Sequence, residues 1–153
     1  TDTQQNAYIL KAGETEAPKY LQRALSEGNT LQDILTANFR VGRTGNDILA
    51  RSRAQAIDRG LTPIIYTHPI GLHGHAAGTT IGMWDKQDGV PGSGDYAMQP
   101  NTAYSIELTA EVSLPEWGDD PLKMKLEQNG FFDGETFRYI QPRQTQYHLV
   151  SSD

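Results

Sequence analysis

Apolar and polar residues alternate from Tyr104 to Leu114. Tyr104, Ile106, Leu108, Ala110, Val112 and Leu114 fall on one side, and Ser105, Glu107, Thr109, Glu111 and Ser113 on the other. A period of two marks a strand with one buried face, so a long strand is predicted here. Leu122, Met124 and Leu126 alternate in the same way with Lys123, Lys125 and Glu127. This predicts a second strand and turns Glu127 to its polar face. Glu107 and Glu127 can then look into one groove.

The first 60 residues follow a helical period instead. Ala7 to Leu10 reads as the end of a strand, and Gly13, Glu14, Thr15, Glu16 and Pro18 mark a helix start, since acidic side chains and an early proline suit a helix N-terminus. That helix is expected to run to about residue 27. Gly28 and Asn29 are expected to break it, with Thr30 capping a second helix whose apolar positions are Leu31, Ile34, Leu35 and Phe39 and whose far end is Gly42. Thr44 then caps a third, with Ile48, Leu49, Ala56 and Ile57 on one side until Gly60. Three helices against strands give an α+β class, the helices packed on one face of a curved, mainly antiparallel sheet.

Between these halves the chain is short of regular pattern. Ile64 to Tyr66 is a short apolar run, followed by His68, His73 and His75 among glycines at 71, 74 and 78. Residues 85 to 101, rich in glycine and proline, read as an exposed loop able to rim a cleft. No internal repeat or low-complexity tract is visible.

Composition narrows the chemistry. At 153 residues the chain suits a single domain, 1-153. Its formal charge of -6, with 13 dispersed basic residues, argues against a surface for nucleic acid or for an anionic membrane. No apolar run approaches the roughly 18 residues of a membrane span, and the compartment, cytoplasmic or exported, is not legible. With no cysteine, thiolate and disulfide chemistry is excluded, and any metal must be held by oxygen and nitrogen. Imidazole with carboxylate suits zinc, manganese, iron and cobalt alike. His68, His75, Glu107 and Glu127 are thus candidate ligands, although lone histidines and strand glutamates are more often solvated surface residues.

The order and spacing of these residues add weight. Tyr66-x-His68-x-x-Gly71-x-x-x-His75, then Tyr104-Ser-Ile-Glu107, then Lys125-Leu-Glu127, resembles the pita-bread metallopeptidases: methionine aminopeptidase, prolidase and, in flavour the nearest, Xaa-Pro aminopeptidase. The resemblance spans nearly the whole chain and implies the C-terminal portion of a metallopeptidase catalytic domain. It implies two divalent cations, manganese by habit with cobalt, zinc and iron as alternatives, and a peptide substrate with a free N-terminus cut after its first residue, in particular before proline. By it His68 and Glu107 are metal ligands, Glu127 bridges the metals, and Asp2 is the second bridging carboxylate. Glu107 also handles the proton of the attacking water, and His75 contacts substrate and oxyanion. His73 is a candidate to line the same cleft, and a homodimer of the longer protein is compatible.

The resemblance also implies what is missing. The family's first aspartate would lie upstream of Thr1, so this stretch would lack one ligand of five, hold one metal weakly and be inactive or nearly so alone. Asp2, near the terminus, is expected to fray. Several positions depart from the family pattern: Thr67 and Pro69 around the metal histidine, Ala76 after the second, Leu108 after the first glutamate, Lys125 where proline-specific members carry arginine, and Gln5 near another common arginine. Creatinase-like chemistry stays open. A non-catalytic peptide- or protein-binding module of the same fold is the alternative, and a site-free helix-and-sheet domain a third.

Overall fold

The computed structural model describes residues 2–152; Thr1, the neighbour of the candidate ligand Asp2, lies outside them. The centre of the molecule is the antiparallel pair β5 (Thr102–Val112) and β6 (Leu122–Phe132), in register along their whole length. Ile106, Leu108, Ala110, Leu122, Met124 and Leu126 point to one face and are buried there, as the alternation requires. Leu114 is also buried, but just past the strand end, where its carbonyl starts the turn into β6.

Short strands extend this pair. β2 (Thr62–Ile65) and β3 (His68–Gly71) lie along the free edge of β5, and β4 (Gly74–His75) turns back on β3. β7 (Phe137–Tyr139) covers part of the other edge, on β6. All these pairings are antiparallel and make a six-stranded sheet. β1 (Ala7–Ile9) pairs separately and in parallel with β8 (His148–Val150). The loop after β4 carries one 3-10 turn, Ser93–Asp95.

Two helices, not three, occur among the described residues. α1 runs unbroken over Lys19–Ala37, through the predicted break at Gly28 and Asn29. A glycine inside a helix costs about 1 kcal/mol in propensity, but here it lets the helix lie close on the sheet. A Cβ at Gly28 would stand 2.8 Å from Leu126 Cδ1 and 3.1 Å from Met124 Cγ. Asn29 is held by tertiary contact, its side-chain amide donating to the Gln144 carbonyl at 3.0 Å. Thr30 is no cap; its hydroxyl donates to Ser26 O, four residues back. Packing, rather than local preference, thus keeps the helix continuous.

α1 ends earlier than Gly42, with Asn38 as its cap, which frees Phe39 to leave the helix. The Phe39 ring meets Tyr104, Phe137 and Phe132 at centroid distances of 5.2, 5.5 and 5.7 Å. Pro18 sits at the helix N-cap, while Glu14 serves a local turn by accepting from Tyr8 Oη and Lys11 N. α2 (Gly45–Asp58) starts as expected, Thr44 Oγ1 accepting from Asp47 N at 3.1 Å. No described helix is long and apolar enough to cross a membrane. α1 lies on the apolar side of β5 and β6, and α2 packs on α1 and β2, so no described helix covers the polar face of the pair.

Candidate metal centre

On that polar face the register sets Glu107 directly across from Glu127. Their neighbours Ile106, Leu108 and Leu126 are anchored in the core, so both carboxyls are committed to the opposite side. One row along, Ser105 is fully buried and donates to Glu127 Oε1 at 3.0 Å. His68 enters this row from β3, paired with Ser105. Only 3% exposed, it brings Nε2 to 3.6 Å from Glu107 Oε2, while Nδ1 lies 3.0 Å from the Pro69 carbonyl.

The β3–β4 hairpin delivers the second histidine. Gly74 takes a φ of +86°, a conformation that glycine adopts without strain, and the chain reverses so that His75 pairs with Ile70. The rings of His68 and His75 then lie 3.8 Å apart at 31°. His73 falls on the exposed hairpin turn and belongs to neither cluster of potential ligands. Asp2 reaches the same hairpin from the other side, its Oδ2 being 3.9 Å from His75 Nε2. Asp2 is better held than the fraying expectation allowed. Gln4 and Glu127 exchange two backbone hydrogen bonds, at 2.8 and 3.2 Å, only two residues away.

Two ligand groups result, each with donor atoms within 4.8 Å of one another: Asp2 with His68 and His75, and His68 with Glu107 and Glu127. Their electrostatics are those of crowded acids. Burial raises the Glu127 pKa; the Ser105 hydrogen bond opposes the rise, and the charges of Glu107 and Asp2 add to it. For His68, desolvation is the largest influence and acts downward. The adjacent Glu107 carboxylate, the Pro69 carbonyl and the charge of Asp2 together outweigh it and raise the pKa. Burial, then the charges of Glu107, Asp2 and Glu127, likewise raises Tyr66.

A divalent cation fits this donor set. His68 Nε2 and Asp2 Oδ2 are buried without a hydrogen-bond partner, a costly state for a polar atom unless something else satisfies it. A cation would satisfy both and relieve the repulsion among three carboxylates. Two further residues belong to the site although sequence reading gave them no role. The Tyr66 hydroxyl lies 3.4 Å from His75 Nδ1, and Ser105 holds Glu127 in place. Ser105 was findable, since its period-two spacing puts it on the face of Glu107.

Cavities open on both sides of the glutamate row. One of about 350 Å³ is lined by Thr3, Ile70, Gln128, Asn129, Ile140 and Pro142 among others, and carries no charged side chain. The other, about 130 Å³, is lined by residues that include Ile64, Tyr66, Trp84, Glu107 and Lys125.

No family model matches the sequence, and no curated protein matches it. Solved structures do match. X-Pro aminopeptidase from Thermotoga maritima MSB8 aligns at a TM-score of 0.67 with 14% identity, over 98% of this chain and 38% of its own. Xaa-Pro dipeptidase from Bacillus anthracis gives 0.61 with 16% identity, over 98% and 37%. A dipeptidase from Pyrococcus horikoshii OT3 gives 0.60 with 17% identity, over 94% and 36%. This chain has the fold of these peptidases, the pita-bread fold, and spans little more than a third of their length.

Proposed function

We propose that residues 1-153 form one domain, the C-terminal part of a metallopeptidase catalytic domain that hydrolyses the first peptide bond of peptides with a free N-terminus, in particular Xaa-Pro bonds. The observation that carries this reading is the in-register pair Glu107 and Glu127 with the partnerless Nε2 of buried His68 beside them. That these structural neighbours are peptidases supports the reaction class. The hydrolytic activity itself is proposed for the longer architecture of which this chain spans a part.

Asp2, His68, Glu107 and Glu127 would hold the metal, manganese first and cobalt, zinc or iron also compatible with such donors. When bound, a pair of such cations makes hydroxide available near neutral pH and polarises the scissile carbonyl. The chain's own residues do the rest. The carboxylate cluster draws the ammonium of a free N-terminus toward the glutamate row. Glu107, only partly buried, takes a proton at its carboxylate and returns it to the leaving amine. His75, whose side chain is 60% exposed, offers Nε2 to the carbonyl oxygen as negative charge grows there. The two flanking cavities give the residues before and after the bond separate places, and the uncharged cavity favours a neutral side chain.

Manganese titration by calorimetry tests the centre. Binding by the wild-type chain that vanishes in His68→Ala is the expected result. A chain that binds neither manganese nor zinc, and keeps binding peptides, would instead be the non-catalytic module.

A further inference from the structure

We infer that His75 is itself a metal ligand in this chain, forming with Asp2 and His68 a second seat for the cation that these two residues otherwise hold with Glu107 and Glu127. The inference rests on the metal-centre reading above and deepens it, by making the identity of the metal decide which residues bind it.

Three observations converge on this seat. The donor atoms of Asp2, His68 and His75 lie within 4.8 Å of one another, as closely as those of the glutamate group. Two of the three, His68 Nε2 and Asp2 Oδ2, are buried and lack any hydrogen-bond partner. Both imidazoles also have their other nitrogen engaged, His68 Nδ1 with the Pro69 carbonyl at 3.0 Å and His75 Nδ1 with the Tyr66 hydroxyl at 3.4 Å. An outer partner on one ring nitrogen orients a metal-binding histidine and leaves the other nitrogen for the ion; the Tyr66 hydroxyl can accept from His75 Nδ1–H when Nε2 binds an ion, or donate to Nδ1 when Nε2 carries a proton for an oxyanion. In both rings the remaining nitrogen is the one nearest a carboxylate: His68 Nε2 to Glu107 at 3.6 Å and His75 Nε2 to Asp2 at 3.9 Å.

The two seats exclude each other, because the single lone pair on His68 Nε2 serves one ion at a time. Their chemistries differ. Two imidazoles and one carboxylate favour a borderline cation such as zinc, whereas one imidazole among three carboxylates favours manganese. Zinc therefore takes His75 out of any contact with substrate, and manganese leaves it free. His75 is the exposed residue of a two-residue strand that begins at the Gly74 turn, so closing on an ion costs the core nothing.

The test compares zinc and manganese on the full chain by calorimetry, in wild type, His75→Ala and Glu127→Gln. His75→Ala should weaken zinc by more than about tenfold, the loss that removal of even an outer partner brings, and leave manganese within about twofold. Glu127→Gln should do the reverse. Long-range 1H–15N spectra of the imidazoles give an independent readout: zinc should shift His75 Nε2 in the wild type and equally in Glu127→Gln, which keeps the Asp2, His68 and His75 seat. Equal losses for both metals in His75→Ala, or a His75 Nε2 resonance unmoved by bound zinc, would overturn the second seat while leaving the metal centre intact. Failure of wild type to bind either metal would overturn both.

Discussion

The two faces of the β5–β6 pair are built from neighbouring residues and live under opposite constraints. On the helix side, Ile106, Leu108, Met124 and Leu126 are packed and buried, and these apolar side chains need only contact. On the other side, Glu107 and Glu127 face each other, and the nearest imidazole nitrogen has no hydrogen-bond partner. One face stores stability; the other leaves buried polar atoms without partners. The division teaches that the site depends on the core for its geometry and not for its energy, because each glutamate is aimed by the buried residues on either side of it.

The largest effect should come from breaking the packed face. Leu126→Ala removes a fully buried side chain under Gly28 and should cost about 2–5 kcal/mol in urea unfolding, whereas removing a carboxylate across the strand should not approach that cost. Next, saturating manganese should stabilise the wild-type chain by about 2.7 kcal/mol at a hundredfold excess over its Kd. The same addition should leave the thermal midpoint of His68→Ala unmoved. Gly28→Val forces a branched side chain into the gap between α1 and Leu126 and should destabilise by about 1–3 kcal/mol. An exposed helical glycine would instead gain stability from such a replacement, so the sign of the change reports how close helix and sheet lie.

The smallest effect is a slope with pH. Without metal, the raised pKa of Glu127 means that the folded chain binds its proton more tightly than the unfolded one. Stability from this group is therefore present at low pH and is lost as pH rises from the ordinary 4.5 through the raised folded value. His68, also raised, acts in the same direction as pH rises from 6.5 through its folded value. Metal capture needs both groups deprotonated, so binding should strengthen over that range. Urea midpoints with and without metal between pH 4 and 8 (about the titration range of both groups) should move in opposite directions. Glu127→Gln should flatten the lower part of the metal-free slope.

Much of this was legible before any coordinates, for reasons that differ by residue. The alternation around Glu107 and Glu127 set both their strands and their common face, since a period of two leaves no choice of side. Thr44 announced α2 because a cap is a contact within four residues. Gly28 and Asn29 misled because their roles are tertiary: one accommodates Leu126 and the other meets Gln144, more than a hundred residues away. The parallel pairing of β1 with β8 was illegible for the same reason. His73 and His75 look equivalent in the chain, and only the turn at Gly74 sends one to the tip and the other over His68.

The sequence by itself determined the two long strands and the order of the candidate ligands along the chain, because periodicity and side-chain chemistry are local properties. The tertiary structure alone decided the continuity of α1, the facing register of Glu107 and Glu127, and the stacking of His75 on His68. Those depend on distances between residues far apart in the chain, which packing sets to fractions of an ångström and no local pattern encodes.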